Sequence, residues 1–381
     1  MAAPQFREMR RCYSFDEVAL VPGDTTINPE QVNIDFTLGN FTFPIPILAS
    51  AMDAVVDPKF AVLLSRLGGL AVLNLEGVQT RYQDADEVLA EIAKASDDEI
   101  TPLLQKVYSA PIKENLIGDR IREIKSNGAV CAVSVTPQNT KRFAPITVEA
   151  GIDILVVQST VTTAHHISKS YRGLIFSELC QVMPAPIIVG NCVSYSAALN
   201  LMRTGISGVL VGVGPGAACT TREVLGVGVP QVTATMDCAA AREQYLRETG
   251  KYVAIITDGG IRTGGDLCKA FVSGADAVML GSIFAQAKEA PGQGSHWGMA
   301  NPHPALPRGT RIKVGTYSTL EQILFGPTSA TGGTENLIGA LRTAMGMCGA
   351  LTIKEMQRVE MVVAPAIKTE GKYFQTIKGL S

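Results

Sequence analysis

The chain has 381 residues, of which 46% are hydrophobic and 18% are charged. This composition supplies enough apolar side chains for a large core and excludes an intrinsically disordered protein. Lys and Arg total 33 against 35 Asp and Glu, a net charge of −2, so composition gives no support to nucleic-acid binding.

The apolar segments and the cysteines bear on location. No uninterrupted apolar run approaches the roughly 18 residues that a membrane-spanning helix needs, and the N-terminal MAAPQFREMRR lacks the apolar stretch of a secretory signal. The eight cysteines are spread along the chain without CxxC spacing. This pattern predicts reduced thiols in a cytoplasmic protein, with no membrane contact, no disulfide framework and no zinc site.

Eight short apolar runs recur along the chain, each long enough for a strand and too short for a helix. Most are continuous rather than alternating, as expected for parallel strands covered on both faces. Segments of helical character separate many of them, for example 57–66, 196–204 and 265–273. The runs are 45–50, 70–73, 130–135, 154–158, 187–191, 209–213, 254–257 and 277–280.

A quasi-repeat supports a closed arrangement of these runs. Gly151, Gly205 and Gly274 each end a helical pattern and lead directly into a buried strand. Glycine suits this position because it adopts positive φ without steric cost. We therefore predict an α/β fold, a (β/α)₈ TIM barrel formed as a single domain by residues 1–381, with an open doubly wound sheet as the alternative.

Two regions fall outside the barrel pattern. Residues 76–125 form a charged, mostly helical excursion between the second and third runs. Residues 288–334 are rich in Gly and Pro and hold the only tryptophan, Trp297, together with His296 and His303. Because this segment follows the eighth run, we predict that it is a flap over the active end of the barrel.

Small polar residues and glycines follow six of the eight runs, at the ends that parallel strands bring to one rim. In barrels of this type the catalytic site lies at that rim, whereas a purely structural barrel has no need for such a concentration. The residues are Ser50, Met52 and Asp53 after the first run, Asn74 after the second, Gln158, Ser159 and Thr160 after the fourth, Asn191 and Cys192 after the fifth, Asp258, Gly259 and Gly260 after the seventh, and Gly281 and Ser282 after the eighth.

The segment after the sixth run, GVGPGAACTTR from Gly212 to Arg222, carries the sharpest chemical signal. Its three alternating glycines let the backbone approach a ligand or an ion closely. Cys219 stands where a helix is predicted to begin, and a helix N-terminus favours a thiolate. Thr221 would supply a hydroxyl and Arg222 a positive charge. These features predict Cys219 as a nucleophile, with a buried structural thiol as the alternative.

Glycine-rich segments after the seventh and eighth runs predict a phosphate site. They are DGGIRTGG from Asp258 and the pair Gly281–Ser282, at the usual place for a phosphate in this fold. Asp258 itself would repel a phosphate and is better suited to accept hydrogen bonds from sugar hydroxyls. Tight turns without a ligand are the alternative.

Other polar residues carry weaker signals. The adjacent His165 and His166 are unsuited to share one metal ion, because neighbouring side chains seldom point to the same place. We interpret Asp35, Lys59 and Glu76 as solvated or structural.

Several segments together resemble the IMP dehydrogenase/GMP reductase family over nearly the whole chain. They are FDEVALVPG from Phe15, ILASAMD from Ile47, GVGPGAACTTRE from Gly212 with GVPQ from Gly228, ITDGGIRTGGDLCKA from Ile256 and GADAVMLGS from Gly274. The resemblance implies a barrel enzyme, tetrameric or octameric, that acts on a purine nucleotide with a nicotinamide cofactor. In the family, a loop cysteine attacks purine C2 and forms a covalent thioimidate-type intermediate linked to hydride transfer.

Carried over by motif, the resemblance makes Cys219 the nucleophile and Thr221 its companion hydroxyl. The implied nucleotide-binding set is Ser50, Met52, Asn191, Gly216, Ala217, Asp258, Gly259, Gly260, Gly281 and Ser282. The implied cofactor-binding set is Gln158, Ser159, Thr160 and Gly212. A monovalent cation, K⁺, would be held by carbonyls of Gly214, Gly216 and Cys219, with Glu370 and Gly371 supplied by a neighbouring subunit.

The chain also departs from the family's dehydrogenases. The excursion at 76–125 is too short for their regulatory CBS pair, and Gln158 stands where an Asp typically binds the nicotinamide ribose. The flap segment PRGTRIKVG, 307–315, lacks the Arg-Tyr pair that activates water, so hydrolysis of a covalent intermediate should be slow. Glu321 matches the catalytic Glu of the reductases only with a one-residue shift.

These mixed features are most similar to the CBS-less, IMP dehydrogenase-related bacterial group, and they predict an XMP reductase that forms IMP with NADPH. IMP dehydrogenation with NAD is the second hypothesis, with Arg308 or Arg311 as the base. GMP reduction is the third. A catalytically silent purine-nucleotide-binding regulator and a flavin-dependent barrel oxidase are alternatives from other classes.

Overall fold

The structure, a computed structural model, describes residues 8–167, 173–298 and 311–364. The strands in these ranges are β1 (Val18–Leu20), β2 (Phe36–Leu38), β3 (Phe41–Phe43), β4 (Ile47–Ala49), β5 (Leu70–Asn74), β6 (Ala132–Val135), β7 (Ile154–Gln158), β8 (Ile187–Cys192), β9 (Gly208–Val211), β10 (Ala254–Asp258), β11 (Ala277–Leu280), β12 (Ser295–His296), β13 (Ile312–Lys313) and β14 (Met361–Val363).

The α-helices of the same ranges mostly follow the barrel strands. They are α1 (Pro58–Arg66), α2 (Val78–Arg81), α3 (Ala85–Lys94), α4 (Ile100–Ser109), α5 (Glu114–Ser126), α6 (Pro137–Glu149), α7 (Phe176–Val182), α8 (Tyr195–Met202), α9 (Thr221–Leu225), α10 (Gln231–Thr249), α11 (Gly264–Val272), α12 (Leu320–Phe325), α13 (Leu337–Met347) and α14 (Ile353–Met356). None of the helices in the described ranges is long and apolar enough to cross a membrane.

The eight apolar runs all form strands, and these strands close a barrel. β4 to β11 pair in parallel in chain order, and β11 returns to β4 through the pairing of Val278 with Ile47. The prediction of a (β/α)₈ TIM barrel is thereby confirmed, and the open doubly wound sheet is excluded.

The barrel interior is filled by every second residue of the strands. Inward-facing side chains stack in layers, which makes the interior a core and not a channel. The hairpin of β2 and β3 closes the end at which the strands begin, with the rings of Phe36 and Phe43 stacked 5.9 Å apart. The interior includes Leu48, Val72, Ile188, Leu210, Ile256 and Met279, each at most 1% exposed.

The three helix-to-strand glycines have the backbone that the quasi-repeat predicts. Gly151, Gly205 and Gly274 have φ of 83°, 96° and 108°, values that favour glycine. At Gly274 a Cβ would also overlap the side chain of Ala239 on α10. The glycines therefore allow each chain reversal and, at Gly274, a close helix contact.

The excursion at 76–125 divides into two parts. α5 packs between α1 and α6 and belongs to the helical ring of the barrel. The short helices α2, α3 and α4 lie outside that ring and form their own apolar cluster, which we call the Trp297 cluster. Its buried members are Ala54, Val78, Ala85, Leu89, Ile92, Ile100, Leu104, Val107, Tyr108 and Trp297.

The segment predicted as a flap is anchored at both ends of its described part. β12 and β13 pair antiparallel on either side of residues 299–310, which lie outside the described residues together with His303. Trp297 and His296 are 0% and 1% exposed, and burial lowers the pKa of His296. These two side chains therefore pack at the base of the predicted flap, which we call the flap base.

Candidate active site

The Cys loop, residues 212–222, leaves β9 at the carboxyl-end rim. Gly212 has φ of 150°, and a Cβ there would overlap the carbonyl oxygen of Asp258. Gly214 has φ of 73°, and a Cβ there would overlap the side chain of Arg222. Glycine at these two positions thus allows the loop to lie against both β10 and its own returning arm.

Arg222 holds the Cys loop closed. Its Nε donates to the carbonyl of Val213 at 3.0 Å, and its terminal nitrogen donates to the carbonyl of Val229 at 2.6 Å. The sequence suggested that Arg222 could supply a positive charge near Cys219. In the structure its side chain folds back over Gly214 and Gly228 and ties the start of the loop to the segment after α9, while its charge still interacts with Cys219.

Cys219 and Thr221 face each other at the end of this loop. The Sγ of Cys219 lies 3.2 Å from the Oγ1 of Thr221, and the amide of Cys219 donates to the carbonyl of Gly216 at 3.0 Å. Cys219 is partly exposed, whereas Thr221, the first residue of α9, is 2% exposed. The structure thus brings together an accessible thiol and a fixed hydroxyl that can exchange a proton with it.

Asp258 ends β10 close to the Cys loop. Its Oδ2 accepts a hydrogen bond from the side-chain amide of Asn191 at 2.8 Å. Burial raises the pKa of Asp258 to about 6, and the hydrogen bond from Asn191 offsets this only in part. The hydrogen bond from Asn191 thus offsets only part of the cost of burying this charge. A carboxylate in this state, at the mouth of a barrel, can accept further hydrogen bonds from a ligand.

The turn after Asp258 contacts the Cys loop directly. A Cβ on Gly259 would lie 3.2 Å from Pro215 Cγ and 3.5 Å from the amide nitrogen of Gly216, and a Cβ on Gly260 would lie 3.2 Å from Pro215 Cβ. Both glycines have φ near 80°. Larger residues would push the loop away, so this pair sets the distance between Cys219's loop and Asp258. Ala217 is exposed at the outer edge of the same loop.

The rim continues across β11 and β4. The amide of Ser50 donates to the carbonyl of Leu280 at 2.9 Å, and a Cβ on Gly281 would lie 2.8 Å from Met52 Sδ and 3.5 Å from Ser50 Oγ. Ser282 follows, partly exposed. The structure therefore brings Ser50, Met52 and Gly281 into contact, and we call these three residues the cradle.

The predicted phosphate segments differ in accessibility. Thr263 caps α11 by accepting from the amide of Asp266, and the amide of Gly264 donates to the carbonyl of Gly333 at 2.8 Å. Arg262 is paired with Asp16 and Asp266. The second half of DGGIRTGG is thus occupied by protein contacts, which leaves Gly259, Gly260 and the Gly281–Ser282 pair as the candidates.

The residues after β7 lie beside Asn191. Ser159 donates its amide to the carbonyl of Gly190 at 2.9 Å and accepts from the amide of Asn191 at 3.1 Å. Gln158 has a buried side-chain oxygen without a hydrogen-bond partner among the described residues. Thr160 is partly exposed next to them. The free acceptor on Gln158 fits a ligand hydroxyl, such as that of the ribose expected here.

Other predicted residues fall outside this cluster. Glu370 and Gly371, predicted for the cation site, and Arg308, a predicted base, lie outside the described residues, whereas Glu321 is exposed on the first turn of α12. Arg311 is contradicted as a base, because its guanidinium donates to the carbonyl of Ile92 at 2.7 Å and to Asp97 at 2.9 Å, with a side chain only 1% exposed.

The weaker polar signals are structural. His165 and His166 are exposed, and within the described residues no group of three or more His, Cys, Asp or Glu could hold a metal ion. Glu76 accepts from the amide of Thr136 at 2.6 Å and from Asn139 at 2.7 Å, at the start of α6.

Sequence reasoning missed one residue that organises the site. Gln231, the first residue of α10, donates to the carbonyls of Val211 at 2.6 Å and Asp258 at 3.1 Å, and so joins the ends of β9 and β10. Gln231 ends the GVPQ segment, one of the segments that carry the family resemblance. That resemblance was the signal from which the residue could have been found.

The chain is similar to known proteins over most of its length. A family model described as an IMP dehydrogenase / GMP reductase domain matches residues 12–299. An uncharacterized oxidoreductase of Mycolicibacterium smegmatis is 40% identical over 366 residues, which cover 94% of this chain and 98% of that protein. An inosine-5'-monophosphate dehydrogenase of Borreliella burgdorferi is 30% identical over 390 residues, covering 91% and 92% of the two chains.

A solved structure shares the same architecture. The crystal structure of an IMP dehydrogenase/GMP reductase-like protein from Corynebacterium glutamicum matches with a TM-score of 0.89 and 37% identity. The match covers 95% of this chain and 96% of that one.

Proposed function

Because the chain belongs to the IMP dehydrogenase/GMP reductase family and is a purine-nucleotide oxidoreductase in general terms, we propose that it reduces XMP to IMP with NADPH through a covalent bond between Cys219 and purine C2. The observation that carries this proposal is the pairing of the Cys219 thiol with the Thr221 hydroxyl at 3.2 Å, on a loop that contacts the Asp258 turn. A nucleophile with a proton partner beside it is the arrangement that covalent catalysis requires.

In the reductive direction, the Cys219 thiolate adds to C2 of XMP. The C2 oxygen takes up protons and leaves as water, which gives the covalent intermediate. Thr221 holds and moves the proton at that oxygen. A reduced nicotinamide, NADPH in our proposal, would supply the hydride to C2. Expulsion of the thiolate then releases IMP, and the overall balance is XMP, NADPH and one proton to IMP, NADP⁺ and water.

The remaining residues bind and orient in this proposal. The carboxylate of Asp258 accepts hydrogen bonds from the ribose hydroxyls of the nucleotide, while Gly259, Gly260, Gly281 and Ser282 offer backbone and hydroxyl groups to its phosphate. Gln158 offers its unpaired oxygen to the nicotinamide ribose. A monovalent cation would stiffen the Cys loop through the carbonyls of Gly214, Gly216 and Cys219.

A second candidate is the reverse reaction, IMP dehydrogenation with NAD. The named relatives support it, since the proteins of Borreliella burgdorferi and Cryptosporidium parvum, 30% and 29% identical, are inosine-5'-monophosphate dehydrogenases. It requires a base that activates water, and the sequestration of Arg311 removes one of the two arginines that the sequence offered. This loss supports the reductive direction.

Absorbance at 340 nm separates the directions. Pure protein in reducing, potassium-containing buffer is mixed with XMP and NADPH, with IMP and NAD, and with GMP and NADPH. A fall with XMP identifies the reductase, and a rise with IMP identifies the dehydrogenase. A fall with GMP together with released ammonia identifies a GMP reductase. No change in any mixture, with nucleotide still bound, contradicts the proposal and favours a silent regulator.

Assembly and location stay predictions. We propose a homo-oligomer, tetramer or octamer, in the cytoplasm. Analytical ultracentrifugation with and without K⁺ tests the assembly, and the proposal expects a chain truncated before Glu370 to lose most of the potassium dependence of turnover, because the carbonyls of Glu370 and Gly371 are then missing.

A further inference from the structure

Three buried side chains form a continuous hydrogen-bonded chain from the flap base to the rim. The indole Nε1 of Trp297 donates to the hydroxyl of Tyr108 at 2.7 Å, and that hydroxyl donates to Oδ2 of Asp53 at 2.7 Å. Trp297, Tyr108 and Asp53 are 0%, 8% and 1% exposed. Hydrogen bonds of this kind, buried and ending on a carboxylate, are among the stronger ones in proteins.

Asp53 is held from the excursion side as well. Its Oδ2 also accepts from the amide of Val78, the first residue of α2, at 2.8 Å. A Cβ on Gly77 would overlap the Asp53 carboxylate. Asp53 can therefore lie against the start of α2 only because residue 77 is glycine. Helices α2 to α4 therefore fix the position of this carboxylate from two directions.

Asp53 lies within the tight turn that carries Met52. The amide of Met52 donates to the carbonyl of Ser50 at 2.7 Å, and the amides of Val55 and Val56 donate to the carbonyl of Met52 at 2.8 and 2.9 Å. We call residues 50–56 the rim turn. Asp53 directly follows Met52 in this turn, so hydrogen bonds that hold its carboxylate restrain the backbone that carries Met52 against Gly281.

The flap base contacts both the rim turn and the excursion. The amide of Gly292 donates to the carbonyl of Ala54 at 2.9 Å. On the other side of residues 299–310, Arg311 donates to the carbonyl of Ile92 near the end of α3. The excursion thus supports three things at once: the rim turn, the outgoing arm of the flap and its returning arm.

We propose that Tyr108 is a positioning residue for the rim. Its hydroxyl links Trp297 at the flap base to Asp53 and so holds Ser50 and Met52 in the geometry of the proposed nucleotide cradle; that last consequence rests on the proposed function. The short helices α2 to α4 are the element that supplies it.

Hydrogen exchange of the ligand-free protein tests the structural half without any assumption about substrate. Tyr108→Phe removes only the hydroxyl, and the amides of Met52, Val55 and Val56 should then exchange roughly tenfold faster or more. Tyr82→Phe is the matched control, because the Tyr82 hydroxyl donates to the carbonyl of Val107 at 3.1 Å, next to Tyr108 on α4, so its loss loosens the same helix without removing a hydrogen bond to Asp53. It should leave those amides unchanged.

A general loosening of the excursion would contradict the proposal. Equal acceleration in both variants, or none in either, overturns it. Trp297 is the only tryptophan of the chain, so its emission reports the same site: it should shift in Tyr108→Phe and stay unchanged in Tyr82→Phe. If Tyr108→Phe fails to fold, Trp297→Phe removes the donor to the hydroxyl and should accelerate the same amides.

A double-mutant cycle tests the link to the nucleotide. Tyr108→Phe should weaken XMP or IMP binding several-fold and raise KM more than it lowers kcat. Its effect should be largely lost in a Met52→Ala background, because both changes act on the same turn, whereas Tyr82→Phe should add independently. Additive effects of Tyr108→Phe contradict the positioning role. Absence of any nucleotide binding, with the exchange result intact, contradicts the proposed function alone.

Discussion

Two aspartates on neighbouring strands of the barrel show how differently its two ends are built. Asp258 ends β10 at the rim, where Asn191 is the side chain that donates to it. Asp276 directly precedes β11 at the opposite end, where Arg242, Tyr252, Lys354 and the amide of Ile255 all donate to it at 2.6–2.8 Å. Burial raises the pKa of both carboxylates, so the contrast lies in their partners: Asp258 is left with capacity for a ligand, and Asp276 is saturated by protein.

The difference follows from which end of a (β/α)₈ barrel has to change with function. Loops at the carboxyl ends of the strands carry the chemistry, and the opposite end contributes stability. A poorly compensated carboxylate costs stability unless a ligand completes it, whereas a fully paired one is destabilising only when a partner is removed. The two aspartates should therefore respond to the same substitution with opposite signs.

The largest expected effect is at the rim, in the reaction itself. Cys219→Ala should lower turnover by roughly 10³-fold or more, because removal of a nucleophile eliminates the covalent route. Cys180→Ala is the control, since Cys180 is also a partly exposed thiol but lies on α7, outside the Cys loop. Steady-state kinetics of both variants measures this. Comparable turnover of Cys219→Ala and wild type would contradict the assignment.

At the opposite end, Asp276→Asn should lower the free energy of unfolding by about 3 kcal/mol, since it removes the buried one of the two carboxylates that pair with Arg242 and leaves only the exposed Glu243. Denaturant titration gives this value, and kcat of the folded variant should stay near that of wild type. A folded Asp276→Asn variant with a clearly lower kcat would show that the substitution at this end of the barrel also affects the reaction at the rim.

Asp258→Asn should have the reverse profile. The variant should unfold a few degrees higher at pH 8, because it no longer places a poorly compensated charge in a buried site, while its nucleotide affinity should fall about tenfold. Calorimetry and equilibrium binding measure the two effects. A variant that is both less stable and unchanged in binding contradicts the contrast between the two aspartates.

The smallest expected effect is the pH dependence of nucleotide affinity. The pKa of Asp258 is raised to about 6, above its value near 4 in the unfolded chain, so this group favours folding at low pH and loses that contribution as pH rises from about 4 to 6. Acceptance of ribose hydroxyls requires the carboxylate, so affinity should rise up to about tenfold from pH 5 to pH 7. Asp258→Asn should show a smaller rise over this range, because only ionisation of the nucleotide phosphate then contributes.

Much of the barrel and its rim could be predicted from the sequence, because strands, glycine turns and the Cys loop are local patterns. The Trp297–Tyr108–Asp53 chain could not, since its members lie in three distant segments and nothing in the sequence indicates that the predicted flap, the excursion and the rim meet there. The second role of Arg222 was hidden for a related reason. Sequence places its charge near Cys219, but only the fold shows that its side chain turns back over Gly214 and bonds the carbonyls of Val213 and Val229.

Mass spectrometry of acid-quenched protein tests the central claim most directly. Protein caught during turnover with XMP or IMP and the matching nicotinamide should carry a nucleotide-derived mass on the peptide that contains Cys219, and Cys219→Ala should carry none. Sustained turnover with an unmodified Cys219 peptide at every quench time, or the same mass on another cysteine, would contradict the account.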